Sequence, residues 1–405
     1  MEGLRLGMYV SRLDRPWIST PFLLEGLLLD DPDDLATLRS LCTQVYVDPI
    51  RGIAPDLRHI VPDDVSARRK EPPGNEFARL RSTTWTTRHD MQAELPHAHK
   101  AHTELKQGIN EVMQDLAMGK VLKLEVLERS VDAMIESITR NPDAFGWLRE
   151  IRRTDNYAYH HALSCSVWAA SFGRHLGLNR DELSELTLAG LLFDVGKTRI
   201  DPGILSKRDA YDDDERQIMR SHVQHSVDIL RQAEGSISSR VLEAVVTHHE
   251  RHDGSGYPQG LVNGAIPVYG RILGLVDSYE AMTNIRPHQP GRSPHQAVMD
   301  LYASRETLFQ GELVEQFIQA SGIYPTGSLV ELSDGRVGVI TTVHSLKRLR
   351  PTVMVLLDAD KNPLREFETV ELWREQKIDG HYTLGVKAGL PHGAYGIDAA
   401  SLFLD

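Results

Sequence analysis

Two aspartates constrain the fold of this chain, because each follows an apolar run that should lie inside the protein. Asp194 ends the run Leu-Leu-Phe-Asp, and Asp277 ends the run Ile-Leu-Gly-Leu-Val-Asp. A buried carboxylate is costly unless it is paired with a cation, hydrogen-bonded or bound to a metal ion. The chain must therefore fold so that partners for both side chains meet in its interior.

Histidines cluster in the same part of the chain. A single histidine on a helix is more often an ordinary polar residue than a ligand. Pairs of histidines found together with two buried carboxylates are better explained by a joint metal site between residues 155 and 277. Imidazole and carboxylate suit Fe, Mn, Zn or a similar divalent ion without selecting among them. These histidines fall in the pair His160-His161, in the stretch from His222 to His225 and in the run that begins at His248-His249.

The apolar pattern predicts a multidomain chain with an all-α centre. Apolar residues repeat at helix spacing in the middle of the chain, as at Leu105, Ile109 and Val112. After Pro325 the residue pattern becomes typical of β-strands, as in residues 352–357. A length of 405 residues is also too great for one compact core. The predicted parts are a small α/β module at 1–60, a polar linker at 61–97, a helical connector at 98–149, an all-α domain at 150–322 and a small β-rich region at 323–405.

Composition excludes some classes of protein. The formal charge of -12 argues against a broad nucleic-acid surface, which would need a basic face. The sequence has no apolar run long enough to cross a bilayer, and its first residues lack the organisation of a signal peptide. Only Cys42 and Cys165 are present, which fits a reducing compartment. We therefore expect a cytoplasmic location.

The most diagnostic motif is Gly256-Tyr257-Pro258. It ends a stretch that begins at His248 and reads His-His-Glu-Arg-His-Asp-Gly-Ser-Gly-Tyr-Pro. With it, the block from Asp155 to about Ala320 resembles an HD-GYP domain. This is a branch of the HD phosphohydrolase superfamily that hydrolyses cyclic di-GMP. Residues 1 to about 50 resemble an uncharacterised module that often precedes such domains in proteobacteria. The resemblance implies a central all-α, HD-type helical domain with cyclic di-GMP as substrate.

The resemblance also implies roles for particular residues. The expected metal ligands are His161, Asp194, His222, His248, His249 and Asp277. The expected catalytic residues are Asp194 and Lys197. The expected substrate-binding residues are Asp155, Gly256, Tyr257, Pro258, Glu280 and Arg286. Three further histidines match no ligand position and are expected on helix surfaces or behind the ligands: His160, His225 and His252.

The expected chemistry is metal-dependent phosphodiester hydrolysis. One or two divalent ions, Fe, Mn or similar, would share Asp194, activate a water and neutralise charge on the phosphoryl oxygens. Lys197 would stabilise the phosphate or protonate the departing sugar oxygen. Arg286 would hold a phosphate with its forked donors. The product would be the linear dinucleotide, GMP or both.

Phe193 departs from the family pattern, because it stands where the family has the histidine of its His-Asp pair. A phenyl ring cannot bind a metal, so the group of Asp194, His222, His248 and His249 should hold an ion more tightly than its neighbour. Smaller departures are the order Asp201-Pro202, Gln289 in place of a basic residue, and Glu280 in place of aspartate. Two functions therefore compete. One is an active or weakened phosphodiesterase for cyclic di-GMP, and the other is a degenerate module that binds cyclic di-GMP or a protein partner. A third alternative is a phosphohydrolase for another nucleotide, because the HD scaffold serves many substrates. A homodimer is also open.

Overall fold

The chain forms two compact units in a computed structural model. One unit joins residues 1–79 to residues 321–389, and the other contains residues 80–320 with 390–405. In the described part of the chain, no helix is both long and apolar enough to span a membrane. The structure describes residues 1–15, 17, 20, 22, 26–60, 82–151, 157–207, 209–284, 291–344, 347–375, 377–378 and 381–397.

The first unit begins with a small antiparallel sheet and one helix. Strands β1 (Tyr9–Leu13), β2 (Leu27–Leu28) and β3 (Val45–Val47) pair in the order β2-β1-β3. Asp31 caps the N-terminus of helix α1 (Pro32–Leu41), and its side chain accepts a hydrogen bond from the backbone N–H of Asp33. The prediction of a small α/β module near the N-terminus is confirmed.

The same unit contains a second, larger antiparallel sheet formed near the C-terminus. The strands near the C-terminus are β4 (Leu329–Leu332), β5 (Val337–Thr342), β6 (Thr352–Leu357), β7 (Pro363–Glu371), β8 (Lys377–Ile378), β9 (His381–Tyr382) and β10 (Val386–Gly389). The larger sheet has the strand order β10-β4-β5-β6-β7, and β8 and β9 form a separate pair. Gly335 lies in the tight turn between β4 and β5, with φ of 89°. The predicted β-rich region is confirmed.

The second unit is helical, which confirms the predicted all-α centre. Its first helix begins at Met91, inside the segment predicted to be a linker; residues 61–81 of that segment lie outside the described residues. The helices are α2 (Met91–Ala117), α3 (Leu124–Arg140), α4 (Pro142–Ile151), α5 (Tyr157–Leu176), α6 (Arg180–Leu192), α7 (Pro202–Leu205), α8 (Asp213–Arg220), α9 (His222–Arg231), α10 (Ser239–Thr247), α11 (Val268–Thr283), α12 (Pro294–Ala303) and α13 (Gly311–Ser321).

Helices α6 and α11 place the two aspartates in the interior. Helix α6 begins with a capping box, in which Asn179 and Glu182 accept hydrogen bonds from each other's backbone N–H groups. Its last turns are buried, and Asp194 follows them. Most of α11 is buried as well, including Asp277. Both aspartates therefore lie inside the helical unit, as their apolar flanks predicted.

A buried ion pair joins α2 to the end of α3. Glu94 is fully buried and accepts two hydrogen bonds from the Arg140 guanidinium, both 2.8 Å long. The ring nitrogen Nδ1 of His89 lies 2.7 Å from the same carboxylate. Burial raises the pKa of Glu94, but the hydrogen bonds from Arg140 and His89 outweigh it and hold the pKa below its ordinary value.

We predict that Glu94→Gln destabilises the helical unit by about 2 kcal/mol, because it leaves the partly buried Arg140 without its counter-ion. Glu136→Gln is the matched control, since Glu136 is half-exposed and 3.9 Å from Arg140. The measurement is the denaturant midpoint of the helical circular dichroism signal.

The pKa of Glu94 is lower in the folded state than in the unfolded state. Its contribution to stability is therefore fully present above the unfolded pKa and is lost as pH falls through the folded pKa. The difference between wild type and Glu94→Gln should therefore shrink in acid, and equal midpoints for both variants at neutral pH would contradict the prediction.

Candidate metal centre

Four side chains that could bind a metal ion lie together where the ends of three helices meet. Asp194 follows α6, His222 begins α9, and His248 and His249 follow the last residue of α10. Each residue offers one ligand atom, and these atoms lie within 4.8 Å of one another. The Nε2 atom of His222 is 3.2 Å from Oδ1 of Asp194. The structure thus brings together the four residues that the sequence placed in one ligand group.

Backbone carbonyls determine how two of these imidazoles face the site. His222 Nδ1 donates to the carbonyl of Met219 at 2.5 Å, and His248 Nδ1 donates to that of Val245 at 2.6 Å. The Nε2 atoms are then lone-pair acceptors. Both Nε2 atoms and Oδ1 of Asp194 are buried without a hydrogen-bond donor. Three buried acceptors that face one another are costly unless a cation lies between them, so this group fits a divalent metal ion.

A second group lies on the other side of Asp194 and consists of His161, Cys165 and Asp277, whose ligand atoms are also within 4.8 Å of one another. His161 Nε2 is 3.0 Å from Oδ1 of Asp277 and 3.6 Å from Oδ2 of Asp194. The Asp194 carboxylate therefore presents Oδ1 to the first group and Oδ2 to the second. This is the arrangement expected of a carboxylate that bridges two cations.

Glu280 orients His161 from behind. Its carboxylate is buried and accepts a hydrogen bond from His161 Nδ1, and Asn284 Nδ2 donates to its other oxygen at 2.9 Å. A carboxylate behind a ligating histidine selects the tautomer with a free Nε2 and raises its basicity. The sequence placed Glu280 among the substrate-binding residues, whereas in the structure its carboxylate is engaged by His161 and Asn284.

The electrostatics of the first group favour the ligand forms of its side chains. Burial lowers the pKa of His248 to about 4, and burial together with His248 holds the pKa of His249 well below its ordinary value. Burial raises the pKa of Asp194, but the Lys197 ammonium outweighs it and holds the pKa well below its usual range. These shifts favour the neutral imidazoles of His248 and His249 and the ionised carboxylate of Asp194, which are the forms that bind a cation.

Phe193 lies between the histidines of the two groups. It is buried, its ring centroid is 4.8 Å from that of His248 in an edge-on arrangement, and it is 5.7 Å from that of His161. The phenyl ring therefore occupies the position at which the resemblance expects a ligating histidine. It supplies packing there but no electron pair for a metal.

The Gly-Tyr-Pro segment packs directly on the ligand His249. The ring of Tyr257 stacks on the imidazole, with centroids 4.6 Å apart and an interplanar angle of 28°. Its backbone N–H donates to the His249 carbonyl at 3.1 Å. A Cβ at Gly256 would collide with the backbone of Arg251, so this close approach requires glycine. The segment, which ends in Pro258, thus forms one wall beside the ligands.

Sequence reasoning missed Glu250, which holds this wall in place. Its buried carboxylate accepts hydrogen bonds from the backbone N–H of Gln259 at 2.7 Å and of Leu261 at 2.9 Å. A single acidic residue among histidines carries no signal of this role, because the bonded groups lie nine and eleven residues away along a loop.

A second missed contact joins the Asp194 turn to α9. The N–H of Gly196 donates to Ser226 Oγ at 2.8 Å, and that hydroxyl donates to the carbonyl of Phe193 at 2.8 Å. A Cβ at Gly196 would collide with the His222 carbonyl oxygen. The glycine that follows the Phe-Asp pair therefore lets the turn approach His222 closely.

The other singled-out residues lie outside these groups or outside the description. Asp155 and Arg286, predicted to contact substrate, are outside the described residues, as is Gln289. His160 is buried and lies 3.3 Å from Ser164 Oγ, and His225 is half-buried. Cys165, by contrast, belongs to the second group; it is a buried cysteine without a disulfide, and burial raises the pKa of its thiol to about 12.

Comparisons with known proteins match three parts of the chain to known domain families. Residues 138–313 match the HD domain, residues 1–127 match a domain of unknown function (DUF3391), and residues 329–378 match a KOW domain associated with the HD domain. Residues 138–313 of the helical unit thus form an HD domain, the domain of a class of metal-dependent phosphohydrolases.

Curated relatives extend the similarity beyond that domain. The chain is 30% identical to a cyclic di-GMP phosphodiesterase of Pseudomonas aeruginosa over 94% of both chains. It is 32% identical to a cyclic di-GMP phosphodiesterase response regulator of Xanthomonas campestris over 37% of this chain and 40% of that protein. It is 33% identical to a 3'3'-cGAMP-specific phosphodiesterase of Vibrio cholerae over 42% of this chain and 31% of that protein. The protein belongs to the HD-GYP family of phosphodiesterases.

We predict that His222→Ala weakens metal binding more than about tenfold, because it removes one of four ligands and leaves Asp194 without that partner. His225→Ala, three residues further along α9, is the matched control. The measurement is the metal retained by the folded protein after dialysis against a competing chelator, determined by elemental analysis. Equal retention by the two variants would show that the first group is not the binding site.

Proposed function

We propose that the protein hydrolyses a phosphodiester bond of cyclic di-GMP to give the linear dinucleotide, GMP or both. Its relatives of known activity act on cyclic dinucleotides, and one of them aligns over nearly the whole chain. The observation that carries the proposal is the position of Asp194 between two ligand groups, with one carboxylate oxygen facing each. Bound divalent ions would supply Lewis-acid activation of water and of the phosphoryl oxygens.

The ligand assignment follows the two groups. Asp194, His222, His248 and His249 would hold one ion, and His161 with Asp277 would contribute to a second beside Asp194. Nitrogen and oxygen donors of this kind suit Fe or Mn. Two free cysteines are typical of a reducing compartment, so we place the reaction in the bacterial cytoplasm.

Lys197 is the group that we assign to the substrate phosphate or the leaving oxygen. Its ammonium lies 2.5 Å from Oδ2 of Asp194, and its side chain is 28% exposed, so it connects the buried carboxylate with solvent. In that position it can stabilise negative charge on phosphate and deliver a proton to the departing sugar oxygen. Gly256, Tyr257 and Pro258 form the adjacent wall, where the Tyr257 ring can contact a base.

The contacts of Glu280 suggest a role different from substrate binding. We assign it to orienting His161, since its carboxylate accepts the His161 Nδ1 proton. Asp155 and Arg286 keep their predicted roles as substrate contacts. Phe193 favours one alternative, a module that binds cyclic di-GMP through the same surface without turning it over, because it removes one family ligand.

We predict that the purified protein, supplied with Mn(II) or Fe(II), hydrolyses cyclic di-GMP, and that Asp194→Asn abolishes this activity because both ligand groups lose their shared carboxylate. Asp228→Asn is the matched control, since Asp228 lies on α9 and bonds Gln224 away from the ligand groups. Product formation is followed chromatographically, with 3'3'-cGAMP as a parallel substrate.

Each result of this assay discriminates between functions. Binding of cyclic di-GMP without turnover would support the non-catalytic module. Turnover of 3'3'-cGAMP alone would reassign the substrate within the same chemistry. Turnover that survives Asp194→Asn in folded protein would remove Asp194 from the mechanism.

A further inference from the structure

The second ligand group contains a donor that the sequence did not point to, the thiol of Cys165. This residue lies one helical turn after His161 on α5, so both side chains project from the same face of the helix. We propose that Cys165 is a metal ligand and takes the place of the histidine that Phe193 has replaced. The inference rests on the proposed metal-dependent function and adds to it the composition of the second metal position.

Distances support a shared cation. Cys165 Sγ lies 3.8 Å from His161 Nε2, and that nitrogen lies 3.0 Å from Oδ1 of Asp277. Metal–sulfur and metal–nitrogen bonds of about 2.3 Å and 2.0 Å place two donors of one tetrahedral ion roughly 3.5 Å apart. Cys165 Sγ is also 3.9 Å from His161 Nδ1, so the thiol must turn toward Nε2 for the three side chains to surround one ion.

Without Cys165, the second ligand group offers too few protein donors to complete the coordination of an ion. Phe193 directs a hydrocarbon ring at His161, so it cannot complete the coordination. The remaining ligands would be His161, Asp277 and a share of Asp194, whose Oδ2 is 3.6 Å from His161 Nε2. Cys165 raises the number of protein donors to four, which is the usual number for a closed zinc-like site.

The coordination step is a simple exchange. The Sγ–H bond breaks, its proton passes to solvent, and the sulfur lone pair forms a bond to the divalent ion in place of one of its water molecules. The oxidation state of neither partner changes. A thiolate makes this position softer than one built from histidine and carboxylate, so it should prefer Zn(II), Co(II) or Fe(II) over Mn(II).

The test is optical and does not depend on catalysis. Full-length protein is stripped of metal and titrated with Co(II), because a thiolate bound to Co(II) gives a sulfur-to-metal charge-transfer band in the near ultraviolet. The chain has only two cysteines, so Cys42→Ser, which lies in the other unit, is the matched control. We expect the band in wild type and Cys42→Ser and its loss in Cys165→Ser. Elemental analysis should fall from about two ions per chain to about one in Cys165→Ser.

X-ray absorption of the Zn(II)-loaded Cys42→Ser protein keeps the test independent of whether Cys165→Ser folds. A metal–sulfur distance of about 2.3 Å in that protein supports Cys165 as ligand. Absence of sulfur scattering and of the Co(II) band at full metal loading would overturn the inference and leave Cys165 as a packing residue. Persistence of the band in folded Cys165→Ser would overturn it as well. Cyclic di-GMP hydrolysis measured on the same samples separates the two proposals. Activity without a sulfur signal would reject only the assignment of Cys165 as a ligand. A sulfur signal without activity would reject only the assignment of cyclic di-GMP as the substrate.

Discussion

The ionised carboxylate of Asp194 is the interaction on which the helical unit depends. Burial disfavours its charge, and the charge is retained because the Lys197 ammonium lies 2.5 Å away. The imidazoles of His222 and His161 lie next to it, at 3.2 and 3.6 Å. These partners come from α5, the turn after α6, and α9, so the packing of three segments converges on one side chain. Since a cation between the two groups would neutralise the same charge, the folding and metal binding of this unit are linked.

Two different devices orient the histidines around that carboxylate. His222 and His248 lie at helix ends and donate Nδ1 protons to backbone carbonyls three residues earlier. His161 lies within α5 and donates to the buried carboxylate of Glu280 instead. A carbonyl is a neutral acceptor, whereas a carboxylate makes the ring more basic and a stronger ligand. The second ligand group therefore contains the more basic of these histidines.

The replacement of histidine by Phe193 changes the site locally and leaves its framework in place. The phenyl ring packs against His248 and His161, while its backbone carbonyl still accepts the Ser226 hydroxyl that ties the turn to α9. The position of Asp194 follows from that backbone contact and from the Gly196 approach to His222, neither of which involves the side chain of residue 193. A phenylalanine at this position is thus compatible with an unaltered position of Asp194.

The sequence by itself determined the all-α centre, the β-rich C-terminal region and the interior position of Asp194 and Asp277, because apolar periodicity and flanking residues act over a few positions along the chain. Residue type alone also showed that Phe193 cannot bind metal. Only the tertiary structure decided which side chains meet. Glu280 bonds His161 across 119 residues, and Cys165 faces the ligand group because α5 packs with one particular face toward α11. The union of residues 1–79 with 321–389 in one unit is a further example. Such pairings depend on how whole helices and sheets pack together, and local periodicity does not indicate the spacing or the relative rotation of packed elements.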